Sequence, residues 1–307
     1  MDWHAPTPAD LELLQRCSIR NELFANNYSA VNSVLYEKKF HSQIATEGGW
    51  LFEKYIASGT TRFAFPHRID GPADDIREAV AAAQKEARSS GETLTFENVT
   101  RAEKDILQKL VPSAQVAATP ESGDYIYRTE KLAGLEGKKL SRKRNHIHQF
   151  QNKHPDWSFA SLDETNLGAV LKIEEDWLEE SSEQARAEGS FSDLQLEREM
   201  IQLAIGHFSV FSRACDMGGG IIFASGRPVA FCIASRLSDR VTDVHFEKCL
   251  SDFGRDGGYA VINREFAANV QTEYINREED LGIEGLRKAK LSYYPEMILE
   301  KFSVCIS

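Results

Sequence analysis

Three stretches of this 307-residue sequence combine residue types that could bind or move a charged group. The first is Arg255-Asp256-Gly257-Gly258-Tyr259-Ala260, between a strand-like run at 242–246 and a helix-like run at 259–270. Backbone N–H groups at a glycine-rich turn into a helix make a natural pyrophosphate cradle, so Arg255, Gly257 and Gly258 are candidate donor-binding residues. The competing reading is a turn whose glycines only meet backbone geometry. The second is Glu247, closing the strand Val244-His245-Phe246-Glu247-Lys248-Cys249. A carboxylate at the mouth of a sheet can deprotonate an amine, directly or through water, if burial raises its proton affinity. An ion pair with Lys248 or a neighbouring Arg is the alternative. The third is the run from Asn276 to Pro295, in which Arg287 and Lys290 fall on one helical face as an anion clamp would. Gly282 and Gly285 inside that pattern cost stability relative to Ala, which suggests close approach of backbone or ligand. A purely structural account also exists: acids at the start and bases at the end suit the helix dipole, and Glu284 can pair with Lys288.

Charge adds a fourth candidate. The formal net charge is −11, yet residues 1–155 carry 21 Lys/Arg against 20 Asp/Glu, while 156–307 carry 15 against 27. The stretch 128–153 alone holds Arg128, Lys131, Lys138, Lys139, Arg142, Lys143, Arg144 and Lys153 against Glu130 and Glu136. Such a protein is no general nucleic-acid coat, but a local basic field can still hold one polyanion. The bland alternative is a solvated helix face. Other chemistries are excluded by absence: no G-x-S-x-G elbow, no G-x-x-x-x-G-K-[ST] loop and no H-E-x-x-H occur. Gly218-Gly219-Gly220 opens a strand rather than a helix, so it is no dinucleotide fingerprint. His146, His148 and His154 have no carboxylate or Cys at metal spacing, and no metal site is expected. Five scattered cysteines, no basic-then-apolar leader and no run of ~20 apolar residues lead to the expectation of a soluble, cytoplasmic protein.

These residues need a scaffold. A helix is expected from the cap Thr7-Pro8-Ala9-Asp10, then strands at 43–46, 50–56 and 62–65, a helix at 74–89, a strand at 93–96 and a helix at 101–110. The second half repeats the order: a strand at 159–162, a helix at 167–180, strands at 218–223, 228–235 and 242–246, a helix at 259–270, a strand at 272–275 and a helix after Asp280 ending near Lys290. The turn Ala224-Ser225-Gly226-Arg227 reads as a hairpin. Matched element order predicts two similar α/β units, 1–127 and 158–307, joined by a basic helical connector at 128–157.

The segment Lys131-Leu132-Ala133-Gly134-Leu135-Glu136-Gly137-Lys138-Lys139-Leu140-Ser141-Arg142-Lys143-Arg144-Asn145-His146-Ile147, with residues 278–295, resembles the family defined by the C-terminal domain of phosphatidylglycerol lysyltransferases. The resemblance spans most of the chain and is closest to soluble, stand-alone members. It implies a tandem GNAT fold with two mixed-sheet units, related to Fem-type transferases that pass an aminoacyl group from aminoacyl-tRNA to a lipid hydroxyl or an amine. The turn at Arg255–Ala260 is also similar to the R/Q-x-x-G-x-G/A element by which GNAT enzymes hold pantetheine pyrophosphate. By resemblance, Lys138, Lys139, Arg142, Lys143 and Arg144 face a polyanionic donor, and Asp280, Arg287, Lys288 and Lys290 line the transfer site, with Asp280 joining Glu247 as a catalytic carboxylate. The lysyltransferases carry a large membrane domain and this sequence has none, so a soluble amine, peptide or small molecule is as fitting an acceptor as a lipid.

The expected activity is therefore transfer of an aminoacyl or acyl group to an amine or hydroxyl, with no tightly bound cofactor and aminoacyl-tRNA as co-substrate. An acyl-CoA-dependent N-acyltransferase and a non-catalytic RNA-binding or scaffold protein are the alternatives. Catalysis would rest on positioning, a carboxylate base and cationic stabilisation of the oxyanion. In the GNAT fold the strand bearing Glu247 and the next strand splay apart, so Glu247, Arg287 and Lys290 are expected to meet in one cleft.

Overall fold

Thr7 and Asp10 cap each other as the sequence requires: Thr7 Oγ1 accepts from the Ala9 N–H, and Asp10 accepts from the Thr7 N–H. A 3-10 turn then leads into helix α1, Leu11–Arg20. The computed structural model describes residues 1–71 and 76–307. Helices α2 (Ala30–Leu35) and α3 (Glu37–Phe40) precede strands β1 (Gln43–Glu47), β2 (Trp50–Ala57), β3 (Thr60–Phe63) and β4 (His67–Arg68). Then come α4 (Arg77–Ser89), β5 (Leu94–Thr100), α5 (Arg101–Leu110), β6 (Gln115–Ala118) and β7 (Asp124–Arg128). Asp74 and Asp75, where the helix was expected to start, lie outside the described residues. The chain continues through α6 (Thr129–Gly134), α7 (Ser141–Lys153), β8 (Ser158–Ser161), α8 (Leu167–Glu188), α9 (Phe191–Gly206) and α10 (Phe208–Cys215). It ends with β9 (Gly218–Ala224), β10 (Arg227–Arg236), β11 (Val241–Cys249), α11 (Ser251–Arg255), α12 (Gly258–Asn269), β12 (Tyr274–Asn276), α13 (Glu284–Leu291), β13 (Met297–Leu299) and β14 (Lys301–Ile306). The hairpin joining β9 and β10 has left-handed Ser225 and Gly226 (φ 53° and 72°), the geometry that suits the twist of its strands.

Two mixed sheets result. The first runs β1-β2-β3-β5-β14-β6 with β4 added to β2, and the second β13-β7-β12-β11-β10-β9-β8. Each contains one parallel junction, and each junction is short. β3 and β5 pair only at Phe63 and Phe96; β11 and β12 pair over three positions, ending at Asp243 and Asn276. β11 runs on to Cys249 without that neighbour, so the second sheet opens there, as expected for the strand that carries Glu247. A register shift opposite Ile233 and Ala234 leaves His245 in a β-bulge within this open stretch.

The sheets do not divide the chain at 127 and 158. β7 belongs to the second sheet, paired with β12 and β13, while β14 lies in the first, between β5 and β6. β7 is buried on both faces through Tyr125, Ile126 and Tyr127, so no alternation marks which sheet it serves. One core, including Phe52, Phe63, Phe96 and Leu107, fills the first unit. A larger one, including Phe150, Phe211, Ile221, Phe231 and Val261, fills the second and takes in Leu11, Leu14 and Val31 of α1 and α2 and Ile44 of β1. Each such fully buried side chain contributes about 1.5–3 kcal/mol relative to exposure.

Candidate active-site cleft

A cleft of about 1090 Å³ lies between the two units, lined from both sides. The first unit contributes Asn32, Glu53, Tyr55, Arg62 and Glu97; the second contributes His245, Glu247, Arg277, Glu278 and Lys290; α7 contributes Lys143. The gap beyond the β11–β12 pairing is bridged by charge. Arg277, just after β12, donates from Nη2 to Glu247 Oε1 at 2.9 Å, and its guanidinium stacks 5.1 Å from the Tyr293 ring. Lys248 points to the other face of β11, where it pairs with Glu174 (3.1 Å) and Glu197 (3.0 Å). The ion-pair alternative for Glu247 is thus met by Arg277.

Of the terminal motif, Lys290 lines the cleft, yet its ammonium faces backbone. Its three N–H groups reach the carbonyls of Arg277, Glu278 (3.1 Å) and Glu279 (2.5 Å). Arg287 forks onto Asp280, Nε to Oδ2 at 2.8 Å and Nη2 to Oδ1 at 3.0 Å. Tyr125 Oη also donates to Asp280 (2.6 Å), and so does the Gly282 N–H (2.8 Å). Those bonds, the Arg287 one foremost, hold the Asp280 carboxyl down to about 2. Arg287 and Lys290 therefore brace the 277–282 loop rather than clamp an anion, and neither Arg287 nor Asp280 lines the cleft. Helix α13 starts only at Glu284. Gly282 (φ 75°) belongs to the turn before it, and Gly285 has open space where a Cβ would stand, so neither glycine marks a ligand approach. Lys288 is exposed.

The glycine turn also serves structure. Gly257 adopts φ 111°, and a Cβ there would overlap the carbonyl oxygen of His146 on α7; one on Gly258 would overlap Cys249 Sγ. Both glycines are thus required by close packing, Gly257 against the backbone of α7 and Gly258 against Cys249. Arg255 is exposed and pairs with Asp252, while Asp256 is held by Lys153 and by His154 (3.1 Å). None of Arg255, Gly257 and Gly258 lines the cleft.

The basic connector splits in two. Arg144 donates to the carbonyls of Leu135 and Gly137, completing the end of α6. Lys138, Lys139 and Arg142 are exposed. Lys143, on the same helix, turns inward with its ammonium 3.7 Å from the Tyr293 ring centre. Burial, then the charge of Arg277, lowers it to about 8.

Sequence reasoning missed Glu53. It faces the cleft from β2 and accepts one hydrogen bond, from Ser33 Oγ (3.3 Å); among the described residues it forms no ion pair. Burial pushes its carboxyl up to about 7. It was legible as a lone acid on a half-buried strand, but nothing local distinguishes it from Lys54 beside it. Asp243 and His245 were missed too, although they sit at alternate positions before Glu247 on one strand. Burial and the Glu278 charge raise Asp243 well above the usual carboxylate range.

The chain matches the family described as "Phosphatidylglycerol lysyltransferase, C-terminal" over residues 26–305. It belongs to that family. Among solved structures, a conserved protein of unknown function from Bacteroides thetaiotaomicron is similar over all of both chains, at 29% identity and TM-score 0.90. The C-terminal domain (DUF2156) assigned to a lysylphosphatidylglycerol synthetase of Agrobacterium fabrum aligns over 97% of this chain and 92% of its own, at 12% identity and TM-score 0.65. L-PGS from Bacillus licheniformis aligns over 98% and 92%, at 12% and 0.64. An uncharacterized protein of Mycoplasmoides gallisepticum, MYCGA3080, is 21% identical over 184 residues, and this chain spans 56% of that relative's length. The chain has two mixed-sheet units. Membership of the family points to a transferase related to lysylphosphatidylglycerol synthase. Among the described residues, no helix is long and apolar enough to cross a membrane.

Proposed function

We propose that this protein transfers an aminoacyl group from aminoacyl-tRNA to an amine or hydroxyl acceptor bound in the cleft between its two units. The observation that carries the reading is α7, which bears exposed Lys138, Lys139 and Arg142 at or before its start and directs Lys143 into the cleft. A polyanion lying along the outside would deliver its esterified end to the inside. The acids of the cleft favour an acyl group that carries an ammonium, which an acetyl group does not. Acyl-CoA has less support, because Arg255, Gly257 and Gly258, the residues that would cradle its pyrophosphate, do not line the cleft.

In this scheme the acceptor attacks the ester carbonyl, a new C–N or C–O bond forms, the ester bond to ribose breaks, and the ribose oxygen leaves as a hydroxyl carrying the proton that Glu53 has taken from the acceptor. The acceptor's proton goes to Glu53, a cleft carboxylate that forms no ion pair among the described residues and has an affinity matched to neutral pH. Lys143 and Arg277 supply positive charge to the developing oxyanion, and Glu247 holds Arg277 in position.

The test is binding and transfer with a mixed pool of radiolabelled aminoacyl-tRNA, alongside acetyl-CoA. Four cationic contacts should give tRNA binding a log–log salt slope of roughly −3. Retention of acetyl-CoA with no salt-dependent retention of tRNA would return the acyl-CoA reading. Stoichiometric tRNA binding without release of labelled amino acid to any acceptor would return the non-catalytic one.

A further inference from the structure

The floor of the cleft holds a second constellation that the transfer scheme does not use. Asp243 and His245 come from β11 and Glu278 from the loop after β12. His245 Nδ1 lies 3.7 Å from Asp243 Oδ2 and 3.5 Å from Glu278 Oε1, and one ligand atom from each residue falls within 4.8 Å of the others. A metal ion about 2.1 Å from two ligands at a tetrahedral angle keeps them about 3.4 Å apart, so each carboxylate already stands near the right distance from the imidazole, and the two carboxylates would draw together on the ion.

Two of the polar atoms are unsatisfied. His245 Nδ1 and Asp243 Oδ1 have no hydrogen-bond partner among the described residues, and both side chains are fully buried. Such atoms are rare in a folded interior and call for an occupant. The other ring nitrogen is fixed: His245 Nε2 and Ser235 Oγ share a 2.7 Å hydrogen bond. With Nε2–H as donor, the Nδ1 lone pair points at the carboxylates, the arrangement by which outer partners orient metal-binding imidazoles. Asn32 Nδ2 steadies the acids, donating to Glu278 Oε1 (2.8 Å) and lying 3.5 Å from Asp243 Oδ2. The nearby lysines serve elsewhere: Lys301 holds Asp124 and Asn26, and Lys290 holds backbone carbonyls. Glu278, the partly exposed member of the three, lines the cleft and gives an ion a way in.

We propose that Asp243, His245 and Glu278 form a binding site for one first-row divalent cation. One imidazole with two carboxylates suits zinc or manganese. The ion would neutralise buried Asp243 and partly buried Glu278 and tie the 277–279 loop to β11, where Lys290 already holds its carbonyls. The site stands on its own geometry and needs no donor or acceptor.

The full chain, stripped with EDTA, is titrated with Zn²⁺ by calorimetry and with Mn²⁺ by electron paramagnetic resonance, without any other substrate. One ion per chain is expected. His245→Gln should weaken binding at least a hundredfold, and Ser235→Ala, which leaves all three ligands in place, by about 10–100-fold. Should His245→Gln fail to fold, Ser235→Ala carries the decision. Absence of stoichiometric binding of either ion overturns the proposal, and so does equal binding by the wild type and Ser235→Ala, which would mean ions scattered over an acidic surface. Because no transfer is measured, either outcome leaves the donor reading untouched.

Discussion

Replacing Glu53 by Gln separates two consequences of one buried carboxyl. A rise from 4.5 to about 7 means that the folded protein keeps a proton the unfolded chain would release. The stability tied to that proton is fully present below about pH 4.5 and is lost as pH climbs through 7, by about 3 kcal/mol in all. Glutamine cannot ionise, so Glu53→Gln should be more stable than the wild type at pH 8, by up to about 3 kcal/mol less the altered Ser33 hydrogen bond, about 1 kcal/mol. At pH 5 the two should be nearly equal. The same substitution should reduce transfer by about 10²–10⁴ and remove the rate increase near neutrality, because the proton acceptor is gone. Urea unfolding of both proteins at pH 5 and pH 8 gives the stability difference, and the comparison cancels every other titrating group. If the substitution leaves the pH 5 to pH 8 change in stability as it was, Glu53 is not the isolated carboxyl described here and its role as base falls with it.

Three more outcomes follow from contacts already described. Changing Lys138, Lys139 and Arg142 together to Ala should abolish tRNA retention and leave the melting temperature nearly unchanged, whereas Arg144→Ala should lower the melting temperature by releasing two carbonyls; a filter-binding assay and a thermal melt decide. Gly257→Ala should cost about 2 kcal/mol or more, since it strains a positive φ and drives α7 from α12, and a melt as high as the wild type's would show that these helices do not touch. The lowered Asp280 carboxyl contributes stability above about pH 4 that is lost as pH falls toward 2, on the order of 1 kcal/mol once solvent screening at the half-exposed Arg287 is counted. Arg287→Ala should flatten that acid limb in a denaturation series from pH 5 to pH 2.

Elements with strong local punctuation were readable in the sequence. The helix expected at 101–110 is α5, fixed by the reciprocal Thr100 and Glu103 cap, and Ser225-Gly226 set the β9–β10 hairpin. Elements fixed by distant partners were not. β14 carries no turn signal of its own and is a strand because β5 and β6 lie on either side of it. Helix α9 passed unread because Phe191–Gly206 shows no clean apolar stripe, whereas the stripe of α10, Phe208, Phe211 and Cys215, was legible and overlooked. At the site, Glu247 could be found from its place on an open strand; of the two residues expected to meet it, Lys290 lines the same cleft and Arg287 does not. What could not be read is which charges are already spent. Lys290 and Arg144 look like anion ligands in a sequence, and carbonyl oxygens that no sequence motif reveals consume them.

The position of β14 reaches beyond this cleft. Because Lys301–Ile306 is inserted between strands that precede it by almost two hundred residues or more, the first sheet stays open along its middle until residues 301–306 have left the ribosome. Until then nascent β5 and β6 expose unpaired edges, the condition under which strand swapping and chaperone capture compete with folding. The two units are in this sense locked in time as well as in space. A fragment cut anywhere between 130 and 300 takes a strand from one sheet or leaves one without its neighbour, so neither half is an autonomous folding module. Any duplication from which such a chain arose would have surrendered the independence of its copies once this exchange was in place.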